Sequence, residues 1–198
     1  MGATAQAFHD KARQLFDLAQ VQQLLEWDQE VMMPPRGLDQ RAQQVASLAS
    51  AVHARATDPS FGDLISRLEQ DPELDAQERA DVREARRAFD RATKVPAQLV
   101  EARAEACSLA QAAWEEARAG NDFSLFLPSL ARVVSLTREL ADAVGGGSRY
   151  DALLDEYEPG MTDARLQEVF AALKARLLPL LDAVQGASRK PDKALLVR

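Results

Sequence analysis

From Ala3 to Met33 no glycine or proline interrupts the chain, and Phe8, Ala12, Leu15, Phe16, Ala19 and Leu24 recur mostly at three- and four-residue spacing. That period fits one face of an α-helix and no β-strand, whose side chains alternate every second residue. It predicts a helix from about Ala5 to Met33, stopped by Pro34 and Pro35. A helix this long buries its stripe only against other long elements, so the first thirty residues already point to a helical protein.

The rest of the chain repeats the pattern. A second helix is predicted near Leu38 to Thr57, with Val45, Leu48, Ala49 and Val52 on one face. Asp58-Pro59 is a cap followed by proline and opens a short third helix holding Leu64, Ile65 and Leu68. Asp75 with Glu78 three residues on forms a capping box for a fourth, reaching about Lys94. Val95-Pro96 restarts the pattern, and a fifth runs from Pro96 to Ala119, closed by Gly120, with Leu99, Cys107, Leu109, Ala110 and Trp114 as core candidates. A sixth follows Asn121-Asp122 with Leu127, Leu130, Val134 and Leu140, tolerates Pro128 in its first turns, and ends at Gly145-Gly146-Gly147. After a short piece, YDALLDEYE, and a turn at Pro159-Gly160, Thr162 caps a last long helix. That helix carries Leu166, Val169, Phe170, Leu173, Leu177, Leu180 and Val184 as one stripe, with a kink expected at Pro179. The tail is polar until Ala194 to Val197, where an apolar element begins. The fold class predicted is all-α, a bundle-like single domain of about six to eight helices over residues 1–198, without a repeat period.

Charge and composition exclude several functions. With 31 Asp plus Glu against 24 Lys plus Arg, the net charge is -7, and no basic field exists to gather nucleic acid or an anionic membrane. The 46% hydrophobic content supports a packed core rather than disorder. One cysteine, Cys107, permits no internal disulfide and fits a reducing compartment, and no apolar run approaches a signal peptide or a membrane span. A soluble cytoplasmic protein is the expectation.

Chemistry is sparse. Two zinc-binding histidines on a helix stand one turn apart, and His9 and His53 do not. Helical di-iron sites use Glu-x-x-His, but Gln6 and Ser50 precede the two histidines at that spacing. Cys107, on an apolar helical face, reads as a small buried hydrophobe rather than a nucleophile. Two clusters of acids and aromatics remain: Glu26, Trp27, Asp28 and Glu30 at the end of the first helix, and Tyr150, Asp151, Asp155 and Tyr157 in the short piece. Paired carboxylates can shuttle protons or hold a cation, or they can simply solvate a helix end.

These clusters carry a resemblance. WDQEVMMPP, ATKVPAQLV, NDFSLFLPSL and above all YDALLDEYEPGMT, in this order, resemble the N-terminal part of the carboxypeptidase Taq type of thermostable zinc metallocarboxypeptidases, over about Phe8 to Pro191. The resemblance implies a nearly all-helical fold, a homodimer, and a substrate groove flanked by these helices. It also implies considerably longer relatives, whose H-E-x-x-H zinc helix, third glutamate ligand and carboxylate-positioning motifs lie further along. No residue here matches those motifs, so no catalytic or metal residue carries over, and zinc is expected only in full-length members. Trp27, Asp28, Tyr150, Asp151, Asp155 and Tyr157 match signature positions and are expected around the groove.

The first functional expectation is therefore a carboxypeptidase-related protein without the zinc site, non-catalytic alone, acting through self-association or through binding a full-length carboxypeptidase or peptides. The alternative is the N-terminal piece of an active enzyme that removes C-terminal residues from peptides. A third reading is a divergent metal-dependent hydrolase built on the two acidic clusters. Helices that pack on a catalytic half elsewhere would here expose an apolar face, which a homodimer burying about 1,500 Å² would cover.

Overall fold

The computed structural model describes residues 2–188. The apolar segment Ala194 to Val197 lies outside the described residues. Eight α-helices and no strand occur among them: α1 Ala3–Val31, α2 Leu38–Ala56, α3 Pro59–Leu68, α4 Ala76–Ala92, α5 Ala97–Gly120, α6 Phe123–Val144, α7 Arg149–Leu154 and α8 Asp163–Gly186. The all-α class and the helix count agree with the sequence. Among the described residues no helix is long and apolar enough to cross a membrane. The chain divides into two compact units between Gly145 and Gly146.

Local signals set most helix starts. The Asp58 carboxylate accepts the Ser60 N–H at 2.9 Å and caps α3, with Pro59 in the first turn. Asp75 and Glu78 form the reciprocal box that opens α4, at 2.8 and 3.0 Å. Asp122 and Thr162 cap α6 and α8. The end of α5 falls to Asn121, which takes the left-handed conformation expected of a C-cap glycine, so Gly120 stays helical.

In the first unit, α1 packs on α2 and α3, α3 on α4, and α5 lies between α2 and α6. Phe8 of α1 stacks on Phe61 of α3, centroids 5.7 Å apart, over a cluster completed by Ala5, Ile65, Leu68, Leu74 and Val82. Gly62 allows the close fit of α4: a Cβ there would lie 2.6 Å from Cζ of Phe89. Arg86 lies over the Phe89 ring at 5.8 Å and donates from Nε and Nη2 to the Glu69 carboxylate at 2.9 and 3.1 Å. Glu69 raises the Arg86 pKa above its ordinary value.

Several predicted core positions are not buried. Phe16 and Leu24 on α1, Trp114 on α5, and Leu127 and Val134 on α6 are exposed, because periodicity marks an apolar stripe without saying how much of it another helix covers. Cys107 is exposed too, contrary to its reading as a buried hydrophobe. In the second unit no residue of α8 is buried, and Phe170, Leu173, Leu177 and Leu180 are each about half exposed. Among the described residues of that unit, only the six-residue α7 and the turns beside it accompany the helix.

Two predictions follow from the first unit. Ile65 is fully buried, so Ile65→Ala should cost about 3 kcal/mol in urea unfolding, whereas Leu173→Ala should cost under about 0.5 kcal/mol; equal losses would contradict the core assigned here. Asp58 is held to a pKa of about 2, from an ordinary 3.8, first by the Lys11 ammonium at 2.8 Å and then by Ser60. A carboxylate with a lowered folded-state pKa stabilises the fold above its unfolded pKa and loses that contribution on acidification. The difference in thermal midpoint between wild type and Asp58→Asn should therefore be full above about pH 4 and shrink as pH falls from 3.8 toward about 2. A difference independent of pH would rule out the ion pair as its source.

Candidate functional site

The first acidic cluster sits where α1 ends. Asp28 accepts a charge-assisted hydrogen bond from Nη2 of Arg41 on α2, and Arg41 Nη1 donates to the Leu25 carbonyl at 2.6 Å. One guanidinium thus fastens the last turns of α1 to α2 through a side chain and a backbone oxygen. Next to Asp28, Gln29 binds α5 twice: its Nε2 donates to the Ser108 carbonyl at 2.9 Å, and the Ser108 hydroxyl donates to its Oε1 at 2.6 Å. Trp27 is 53% exposed. Neither Arg41 nor Ser108 stands out in the sequence, because their partners lie on other helices.

The second cluster is an assembly of caps. Ser148 and Asp151 form a capping box around the start of α7, the Asp151 N–H donating to the Ser148 hydroxyl at 3.0 Å. The other Asp151 oxygen, Oδ1, accepts the backbone N–H of Asp163 at 2.7 Å, at the start of α8. That N–H has no acceptor within its own helix, so Asp151 joins α7 to α8 while satisfying it. The Asp163 N–H and the Ser148 hydroxyl hold the Asp151 carboxyl below the usual range. Asp155, one turn on, accepts the Gly160 N–H at 2.9 Å through Oδ1 and fixes the turn, where Gly160 has φ of 78°. Tyr150 and Tyr157 are exposed. The pattern Ser148-x-x-Asp151 was available in the sequence as a capping signal.

Asp28, Asp151 and Asp155 therefore direct their carboxylates at a neighbouring guanidinium, backbone N–H groups or the Ser148 hydroxyl, and Glu26 accepts from the Gln22 side chain. A proton shuttle needs a carboxylate free to meet substrate, and a cation site needs several oxygens converging on one point. Among the described residues no group of three or more His, Cys, Asp and Glu could hold a metal ion. The described residues do not fit a zinc centre.

A separate feature is concave. A cavity of about 550 Å³ opens among α1, α2 and α5, with the Gln29–Ser108 tie on its wall.

The chain is 42% identical to thermostable carboxypeptidase 1 of Thermus thermophilus over 91% of its own length and 38% of that protein's. It is 34% identical to thermostable carboxypeptidase 1 of Pyrococcus furiosus, covering 91% of this chain and 36% of the relative. The crystal structure of BsuCP superposes with a TM-score of 0.91 at 29% identity, covering all of this chain and 40% of the other. The chain thus spans less than half the length of the relatives it matches. The pattern of one family covers residues 7–198. This chain belongs to the carboxypeptidase Taq (M32) metallopeptidase family.

Proposed function

We propose that this chain is a carboxypeptidase-related helical protein that is non-catalytic alone and acts in the cytoplasm through self-association, or through binding a longer carboxypeptidase or peptides. The observation that carries this reading is the apolar face of α8, where Phe170, Leu173, Leu177 and Leu180 are open to solvent with no H-E-x-x-H pair anywhere in the sequence. Apolar side chains repeated along one helix favour association, and a homodimer burying about 1,500 Å² is of ordinary size for a stable pair. Without zinc or an activated nucleophile and base, these residues have no means of polarising a peptide carbonyl. Trp27, Asp28, Tyr150, Asp151, Asp155 and Tyr157 act in this reading as structural positions flanking a groove.

The second reading is supported by coverage. Relatives more than twice this length leave room for a catalytic portion, and joined to one, these helices would form the N-terminal part of a zinc metallocarboxypeptidase that removes C-terminal residues from peptides.

The purified 198-residue chain, assayed on blocked dipeptides with and without zinc or cobalt, is expected to show no turnover, and light scattering at micromolar concentration is expected to give twice the monomer mass. Metal-dependent turnover lost with chelator would overturn the non-catalytic reading; a monomer would remove self-association. For the acidic pair, Asp151→Ala is expected to lower the thermal midpoint followed by circular dichroism, as the links to Ser148 and Asp163 are lost. Zinc is expected to leave the wild-type midpoint unchanged. A zinc-induced rise abolished in Asp151→Ala would instead show these carboxylates holding a cation.

A further inference from the structure

The α5 wall of the cavity is built from positions spaced three and four residues apart, among them Val100, Arg103, Ala104 and Cys107. Val45 and Val52 of α2 supply apolar surface from the other side. Arg103 is the exception on this wall: its Nε is buried and has no hydrogen-bond partner, the one side-chain nitrogen or oxygen in that state among the described residues. Elsewhere in the first unit the partly buried guanidinium groups of Arg41 and Arg86 are matched to carboxylates. Two acids line the same cavity from α1 and do not fill this role. Glu26 accepts from Gln22 Nε2 at 3.0 Å, and Glu30, like Glu26, is exposed. Gln22, Gln29, His53, Ser108 and Gln111 supply further polar groups in the lining.

A buried guanidinium N–H keeps its place at a cost unless an acceptor meets it, and an arginine fork matches the paired oxygens of a carboxylate, whose alkyl chain suits the apolar part of these walls. Apolar surface beside a cationic anchor, in a volume within the range of about 300–1,000 Å³, is the usual makeup of a small-molecule site. Among the described residues the only cation in this lining is Arg103, with Glu26 and Glu30 exposed on α1. We propose that this cavity binds a small aliphatic monocarboxylate, its chain against Val45, Val52 and Val100 and its carboxylate on Arg103. Its anchor, Arg103, belongs to neither acidic cluster, although Glu26 and Glu30 of the first line the same cavity, and the proposal does not depend on the function proposed above.

Isothermal titration of the 198-residue protein with octanoate and with 1-octanol separates the charge from the chain. Octanoate is expected to bind at least tenfold more tightly than octanol. Arg103→Gln, which keeps an N–H donor and removes the charge, should abolish that preference, and Arg103→Lys should restore part of it. Ala104→Leu, which fills the cavity, should weaken both ligands at least tenfold and serves as the test should Arg103→Gln fail to fold by circular dichroism. Equal affinity for the two ligands, no binding of either, a preference unchanged in Arg103→Gln, or binding unaffected by Ala104→Leu would each overturn the proposal.

Discussion

Helix α1 is held mainly by burial near its start, with the Lys11–Asp58 ion pair beside it, and by polar ties near its end, and the first unit is arranged around that difference. Twenty-nine residues make a rod of about 43 Å, too long for one neighbour to cover. Near its start, Phe8 enters the apolar cluster with Phe61 and Ile65, an attachment that is strong but indifferent to small rotations. Near its end the attachments are polar and directional: Asp28 to Arg41, and Gln29 to Ser108. Burial supplies the energy at one end, and hydrogen-bond geometry fixes register at the other. Between them α1 touches three of the helices that follow, so the positions of α2, α3 and α5 are referred to a single element.

What the sequence revealed divides along the same line. Asp58, Asp75, Asp122 and Thr162 act within three residues of themselves, and each was legible because capping is local chemistry. Ile65, Leu68, Val45 and Ala49 were legible as core because their stripes meet a partner stripe within the unit. Trp114 and Cys107 lie on stripes of the same quality and are exposed, since periodicity records which face is apolar and not what arrives to cover it. Arg41, Ser108 and Arg103 were invisible for a related reason. An arginine or serine on a helix gains meaning only from a residue far away in the chain, here 13 positions for Asp28 and 79 for Gln29.

The segment that carries the family resemblance most specifically, YDALLDEYEPGMT, has a structural use for each of its two aspartates. Asp151 caps its own helix and holds the first N–H of the next one, and Asp155 fixes the turn between them. A carboxylate with two acceptors in use on two elements tolerates little substitution, because a longer or neutral side chain loses one link or the other. Such constraints preserve a pattern as firmly as chemistry does. In this segment the acids beside the aromatics serve as caps and as a turn fastening.

The two units differ in how far their own contacts account for them. The first closes a core, with Ile65 and Leu68 out of solvent and its partly buried charges at Arg41 and Arg86 paired. The second has a well-fastened start to α8 and then a helix whose apolar residues meet no burial. Helix propensity and a good cap extend a helix only marginally in water, and tertiary packing usually supplies most of the stability. For α8 the cap at Thr162 and the Asp151 link determine where the helix begins, while its apolar face is the part of the structure that association would stabilise most. That asymmetry is what the proposed function builds on: the elements already satisfied would form a scaffold, and the face left open would be where a partner binds.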